Sequence, residues 1–234
     1  MKRFAVTLLL VSAFACMPFS AAQSDAGAPK SRRDAESMWN AEGLSKLNVK
    51  GLDVVYARPG ATLGGYDKFM LRPITVAFQR DWEKRSAPGT RTPIKTQDAQ
   101  RIKDRLSALV REEVTKQLNE GGYMLVDAPG DNVLEVALSI VNLDVNAPDI
   151  KTAGRVETYA LSAGEMTLVA DLRDSASGDI IMRVFDRTQA REYFHPQRIT
   201  SVDNAAEART AASAWAKALR KELDLARSAG TATP

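Results

Sequence analysis

Apolar positions recur along this chain with two periods, and the switch between them marks its elements. Over residues 96–119, Ile102, Leu106, Leu109, Val110, Val114 and Leu118 return every three or four positions, which predicts a long amphipathic helix. Thr96 is placed to cap its start, Asp98 suits the first turn, and Gly121-Gly122 supplies the stop. A second stripe, from Ala208 through Ala211, Ala212, Trp215 and Leu219 to Leu223, predicts an alanine-rich helix capped by Asp203 and ending near Ala226.

Elsewhere the period is two. Between residues 133 and 145, Leu134, Val136, Leu138 and Ile140 share one face, with Val133, Glu135, Ala137, Ser139 and Val141 on the other. Leu143 falls out of phase with the first set. Residues 165–173 and 179–191 alternate on either side of Asp174-Ser175-Ala176-Ser177-Gly178, which predicts a hairpin. In its return strand Asp186 falls in line with Ile180, Met182 and Val184. Shorter β-rich runs occupy 52–56, 68–78 and 123–126, and Pro73 places the second at a sheet edge or a bulge. A short helix within 34–47 would carry Met38, Trp39, Leu44 and Leu47. The polar stretches 81–95 and 146–163 predict loops, and a connection as long as the second is uncommon unless mobile or used for binding. Together these elements predict an α+β fold, a mostly antiparallel sheet with two long helices packed on one face.

The first residues change the picture. Lys2 and Arg3 precede an apolar run over 4–14, and Ser20-Ala21-Ala22 then offers small residues before Gln23. That order predicts a secretory leader over 1–22, cut between Ala22 and Gln23, and a periplasmic address. The apolar run falls short of the roughly 20 residues a membrane-spanning helix needs, so no transmembrane segment is expected in the mature chain. Cys16, the single cysteine, leaves a second exit open, as a lipidated residue tethering the protein to the periplasmic face of an envelope membrane. Phe14 and Ala13 fit a lipidation box poorly, so soluble export is favoured. Residues 23–33 read as a flexible spacer, 34–228 as one α+β domain, and 229–234 as a disordered tail.

Charge and composition then exclude whole classes. Losing Lys2 and Arg3 with the leader lowers the formal charge from +3 to +1, too little to grip a polyphosphate backbone, so no nucleic-acid partner is expected. Without Cys16 the mature chain has no disulfide, thiol nucleophile or thiolate ligand. A single histidine, His195, precludes a multi-histidine metal site within one chain, and no cofactor is expected.

Several segments together resemble the DUF3313 family. They are Val54-Val55-Tyr56-Ala57-Arg58-Pro59-Gly60-Ala61, Gly65-Tyr66-Asp67-Lys68-Phe69-Met70, Val76-Ala77-Phe78 with Asp81-Trp82, and, in the hairpin, Gly164-Glu165-Met166-Thr167-Leu168, Leu172-Arg173-Asp174-Ser175 and Ser177-Gly178-Asp179. The resemblance spans about residues 43–226. It implies a bacterial cell-envelope protein, of a kind often described as a lipoprotein, with no established activity.

Candidate chemistry is sparse. Asp171, Asp174, Asp179 and Asp186 cluster in the hairpin and would suit paired acid and base roles, but Asp174 and Asp179 flank a turn, where carboxylates serve local hydrogen bonds. His195 has no Gly-x-Ser-x-Gly nucleophile turn to serve, and residues 60–65 lack the Gly-Lys-Ser/Thr ending of a phosphate loop. The loop carrying Arg58 and Tyr66 is the candidate partner-binding patch. Trp39, Trp82 and Trp215 are expected to pack in the core. The expectation is a non-enzymatic binding or accessory protein engaging an envelope protein or component. The alternatives are an envelope-polymer hydrolase using the hairpin carboxylates and a small-ligand carrier with a pocket between helices and sheet.

Overall fold

The computed structural model describes residues 28–82, 95–146, 158–160, 164–190, 195 and 197–231. Cys16 and the Ala22–Gln23 cleavage point lie outside the described residues. The elements follow in the order α1 (Arg32–Ala41), β1 (Ser45–Leu47), β2 (Val54–Ala57), β3 (Lys68–Leu71), β4 (Thr75–Phe78), α2 (Thr96–Glu120), β5 (Met124–Leu125), β6 (Val133–Val145), β7 (Thr158–Ala160), β8 (Gly164–Asp174), β9 (Ile180–Gln189), β10 (Gln197–Ile199) and α3 (Ser201–Thr231). Eight strands form one sheet in the order β1-β2-β9-β8-β6-β3-β5, with β4 also on β6, while β7 and β10 make a separate pair. The sheet is mostly antiparallel, and the fold is α+β as the pattern predicts. The exceptions are β3 and β4, which lie parallel to β6 one after the other, and β5, which lies parallel to β3. Pro73 separates them, having no N–H to give a ladder, and Arg111 of α2 donates to the carbonyls of Leu71 and Arg72 at the break.

Strand alternation sorts the side chains onto two faces. Val55, Leu134, Val136, Leu138, Ile140, Met166, Leu168, Ala170, Leu172, Met182 and Val184 face α2 and α3 and form the main core with Val110, Val114, Leu118, Trp215 and Leu223. Val54, Tyr56, Val169 and Phe185 point the other way, where Ala35, Trp39 and Leu44 cover them. The two long helices thus share one face, and α1 covers part of the opposite one. The phase slip near Leu143 is a bulge: β6 pairs with β8 up to Val141, Asn142 takes φ 52°, and pairing resumes at Asp144. One extra residue returns Leu143 to the core face.

Two helix ends use the same device. At the end of α1, Gly43 (φ 76°) donates to Asn40 and Leu44 donates to Trp39, with Leu44 and Trp39 in one cluster. At the end of α2, Gly122 (φ 77°) donates to Asn119 and Tyr123 donates to Leu118, again two residues of one cluster. Both are the paired carbonyl caps that a left-handed glycine permits. Gly43 therefore ends the short helix ahead of Leu44 and Leu47, which the sequence pattern places in it.

Several expectations are corrected. Thr96 does not cap α2; the N-cap is Lys95 without a side-chain bond, and Asp98 is buried against Arg101 at 2.8 Å. Asp203 is not the first residue of α3; its carboxylate accepts from Thr200 N and Oγ1 while Thr200 Oγ1 accepts from Asp203 N, a reciprocal capping box. Helix α3 continues to Thr231, through 229–231 where a disordered tail was expected. Ser31 caps α1, so the end of the 23–33 spacer is already structured. Leu47 is exposed on the edge strand β1. Within the long loop expected over 146–163, Thr158–Ala160 forms β7.

Candidate functional site

The sheet has two ends of different character. At the β8–β9 turn the sequence-predicted residues meet. Pro59 and left-handed Gly60 turn the chain between Arg58 and Ala61, and Gly64 then lies so close to α3 that a Cβ there would meet the Ala226 carbonyl oxygen at 2.6 Å. Arg58 Nε donates to the Ile180 carbonyl at 2.8 Å. Tyr66 OH donates to Asp174 Oδ2 at 2.9 Å, and burial with that contact pushes the phenol up to about 12. Asp174 Oδ1 accepts from the N–H groups of Ser177 and Ala176, which hold its carboxyl below the usual range. The polar heads of Arg58 and Tyr66 are thus engaged in tying the loop to the hairpin, with Arg58 itself exposed.

The hairpin carboxylates do not converge. Asp171 lies on the α1 face, in a chain of ion pairs with Arg173 (2.8 Å) and Arg183 (3.1 Å), the latter bound to Glu42 at 2.7 Å. Asp174 and Asp186 belong to the opposite face, separated along β8 and β9 because Asp186 pairs with Leu168. Asp186 is buried, accepting from Trp215 Nε1 at 2.7 Å, from Asp53 N at 2.9 Å and from Thr188 Oγ1 at 3.4 Å. It joins α3 to the sheet. Burial pushes its carboxyl above the usual range, against the pull of the Trp215 and Asp53 donors. His195 is exposed. Trp39, Trp82 and Trp215 are all buried, and Phe78 stacks on Trp82 at 3.9 Å.

The tighter hold of Asp186 on its proton makes stability depend on pH. Its native state binds a proton more tightly than the unfolded chain, so acid adds stability through this group as pH falls through its native value towards 3.8, and that contribution is lost as pH rises again. Asp186→Asn removes the titration and keeps one acceptor oxygen. In urea unfolding from neutral pH down to about 4, the wild type should gain stability relative to D186N, whichever is the more stable at neutral pH; a wild type that loses stability relative to D186N with acid contradicts the assignment.

At the other end of the sheet lies a cavity of about 390 Å³ between α2, α3 and the ends of β6, β8 and β9. Its described walls include Ile102, Leu106 and Leu109 of α2, Leu143 and Val145 of β6, and Met166 of β8. The cavity follows from side-chain size. Farther along, the helices close over Trp215, Leu223 and Leu118, and Glu113–Arg209 (3.2 Å) and Glu120–Arg220 (3.6 Å) join them. At the start of α3 the facing residues are Ala205 and Ala208, too short to reach the sheet. Val202 is 74% exposed beside the opening. Charged residues border it: Arg105, Asp144, Glu207, and Glu165, which is paired to Arg187. The loop carrying Arg58 and Tyr66 was the sequence-predicted site; a pocket between helices and sheet was an alternative expectation with no residues assigned to it. Its one advance sign is the long connection over 146–163, which leaves the sheet at Val145 and returns at Gly164, both on the cleft wall.

An α+β domain with a helix-lined apolar cleft at one sheet end is the class this geometry defines. The family model described as "Protein of unknown function (DUF3313)" matches residues 38–219, and the chain belongs to that family. No curated protein matches it. Among solved structures it is similar to a Xanthomonas campestris protein of family DUF330, at 11% identity and TM-score 0.42, covering 80% of this chain and 97% of that one. It is also similar to the PelC dodecamer of Paraburkholderia phytofirmans, at 12% identity and TM-score 0.33, covering 68% and 92%. A minor lipoprotein from Acinetobacter baumannii matches at 12% identity and TM-score 0.33, covering 69% and 95%. No helix among the described residues is long and apolar enough to cross a membrane.

Proposed function

We propose that this is an exported, non-enzymatic protein of the bacterial cell envelope that binds a small apolar ligand in the cleft between α2, α3 and the sheet. The cleft carries the proposal. Its volume falls in the range typical of small-molecule pockets, and its walls are predominantly hydrocarbon. The leader over 1–22 supports export. Neither competing reading gains from the geometry: Asp171 and Asp174 stand on opposite faces of β8, and Arg58 Nε and Tyr66 OH are bound to the Ile180 carbonyl and to Asp174.

Filling the cleft tests this directly. Ala208→Leu places a branched side chain into the cavity, so it should raise the unfolding free energy of the ligand-free protein by about 1 kcal/mol and abolish uptake of an apolar fluorescent dye. Binding of the dye by A208L as tightly as by wild type would show that the ligand site lies elsewhere.

A further inference from the structure

Where α2 ends beside α3, on the side turned from the sheet, a second groove of about 620 Å³ faces solvent. We propose that it binds a phosphate diester, with Lys217, Lys221 and Gln117 as its donors. The proposal stands apart from the apolar cleft, which lies at the other end of the same helices.

Helical spacing builds the site. Lys217 and Lys221 are four residues apart on α3, so both ammonium groups project from one side, and neither has a partner among the described residues. Gln117 of α2 lines the same groove and is only 7% exposed, yet its amide makes no hydrogen bond among the described residues. An amide so nearly buried is costly until something in the groove completes it. Arg220 is already engaged: its guanidinium lies 3.6 Å from Glu120 and 3.6 Å from Asp224, and Asp224 also accepts from Tyr123.

The charges select the ligand. Arg220, Glu120 and Asp224 together carry one net negative charge, and the two lysines outweigh it by one. A diester brings a single negative charge. A phosphate monoester near neutral pH brings up to two, the second of them set against Glu120 and Asp224. A carboxylate has the right charge but only two oxygens, in one plane. The four oxygens of a diester surround a tetrahedron and can meet three donors arriving from two helices. Leu225, 55% exposed in the wall of the groove, suits a hydrocarbon substituent on the ester. The diester is either the head group of an anionic phospholipid or a soluble glycerophosphodiester.

Titration calorimetry of the purified protein with glycerophosphorylglycerol, glycerol phosphate and acetate tests the site, and sedimentation with vesicles of phosphatidylglycerol in phosphatidylcholine tests the source. Glycerophosphorylglycerol should bind more tightly than the other two soluble probes, and less tightly as salt is raised. Lys217→Gln and Lys221→Gln should each weaken it about fivefold. Lys50→Gln, exposed outside the groove, should change it by less than about twofold. Gln117→Leu should leave the fold at least as stable and weaken the diester as the lysine variants do. Vesicles that bind more tightly than the soluble diester, and less well to K217Q and K221Q, assign the groove to the lipid head group; a soluble diester that binds as tightly as the vesicles assigns it to the free compound. Acetate or glycerol phosphate binding as tightly as glycerophosphorylglycerol overturns the diester. Binding of no probe, or a loss in K50Q equal to that in the groove variants, overturns the site.

Discussion

Trp39→Ala should lower the unfolding free energy by about 4 kcal/mol. Trp39 is 1% exposed and stands edge-on to Tyr56, with ring centroids 5.7 Å apart. It is the largest side chain of α1 and, with Ala35 and Leu44, closes the cluster over Val54, Val169 and Phe185. Its loss opens a cavity on a sheet face covered there by a helix of ten residues, too short to persist without tertiary contacts. The carbonyl of Trp39 also accepts from Leu44, so the helix end and the packing form one unit. Trp39→Phe should recover much of the loss. Urea unfolding followed by near-ultraviolet circular dichroism measures both, and a change below about 1 kcal/mol for W39A would mean that α1 contributes little to the fold.

Gly164→Ala should cost about 3 kcal/mol or more. Gly164 takes φ 144°, and a Cβ built there would lie 2.0 Å from the Asp144 carbonyl oxygen, a backbone atom that cannot rotate away. The position is fixed on both sides, because Gly164 pairs with Val145 across the β6 bulge and its carbonyl accepts from Ala190 N at 2.9 Å. Gly178 is the control. It too has a left-handed backbone, φ 77°, but nothing lies within 4 Å of its missing Cβ, so Gly178→Ala should cost only about 1 kcal/mol. Because Gly164 lines the cleft, G164A should also weaken dye binding where G178A does not. Equal losses of stability in the two variants would contradict the close approach to Asp144.

Periodicity made the elements legible wherever burial was one-sided. The stripe from Ile102 to Leu118 marks α2, and the alternation from Leu134 to Ile140 marks β6, including the slip at Leu143 that proves to be a bulge. Pairing partners were less legible. Nothing in residues 68–78 states that β3 and β4 lie parallel to β6, since a strand pattern specifies its faces but not its neighbours. Caps went astray because Thr96 already lies inside the helix, after Lys95 with no side-chain bond, and because Asp203 acts as the reciprocal partner of Thr200, three residues earlier.

The residues that form the cleft were hidden for a different reason. Ala205 and Ala208 read as ordinary alanine-helix positions, and only their placement opposite Leu143 and Met166 turns small side chains into empty volume. The residues that drew notice in the sequence, Arg58, Tyr66 and Asp174, owe their prominence to turn chemistry and to the bonds that hold the hairpin end together. Asp186 was placed on the correct face by its alternation with Met182 and Val184, yet its role in holding Trp215 required the fold.

Native mass spectrometry of the protein isolated without detergent from its own envelope fraction tests the account most directly. The account predicts a polypeptide beginning at Gln23 that carries one small apolar adduct, released on denaturation, with A208L free of it. A polypeptide that keeps Met1 and carries no adduct would contradict it.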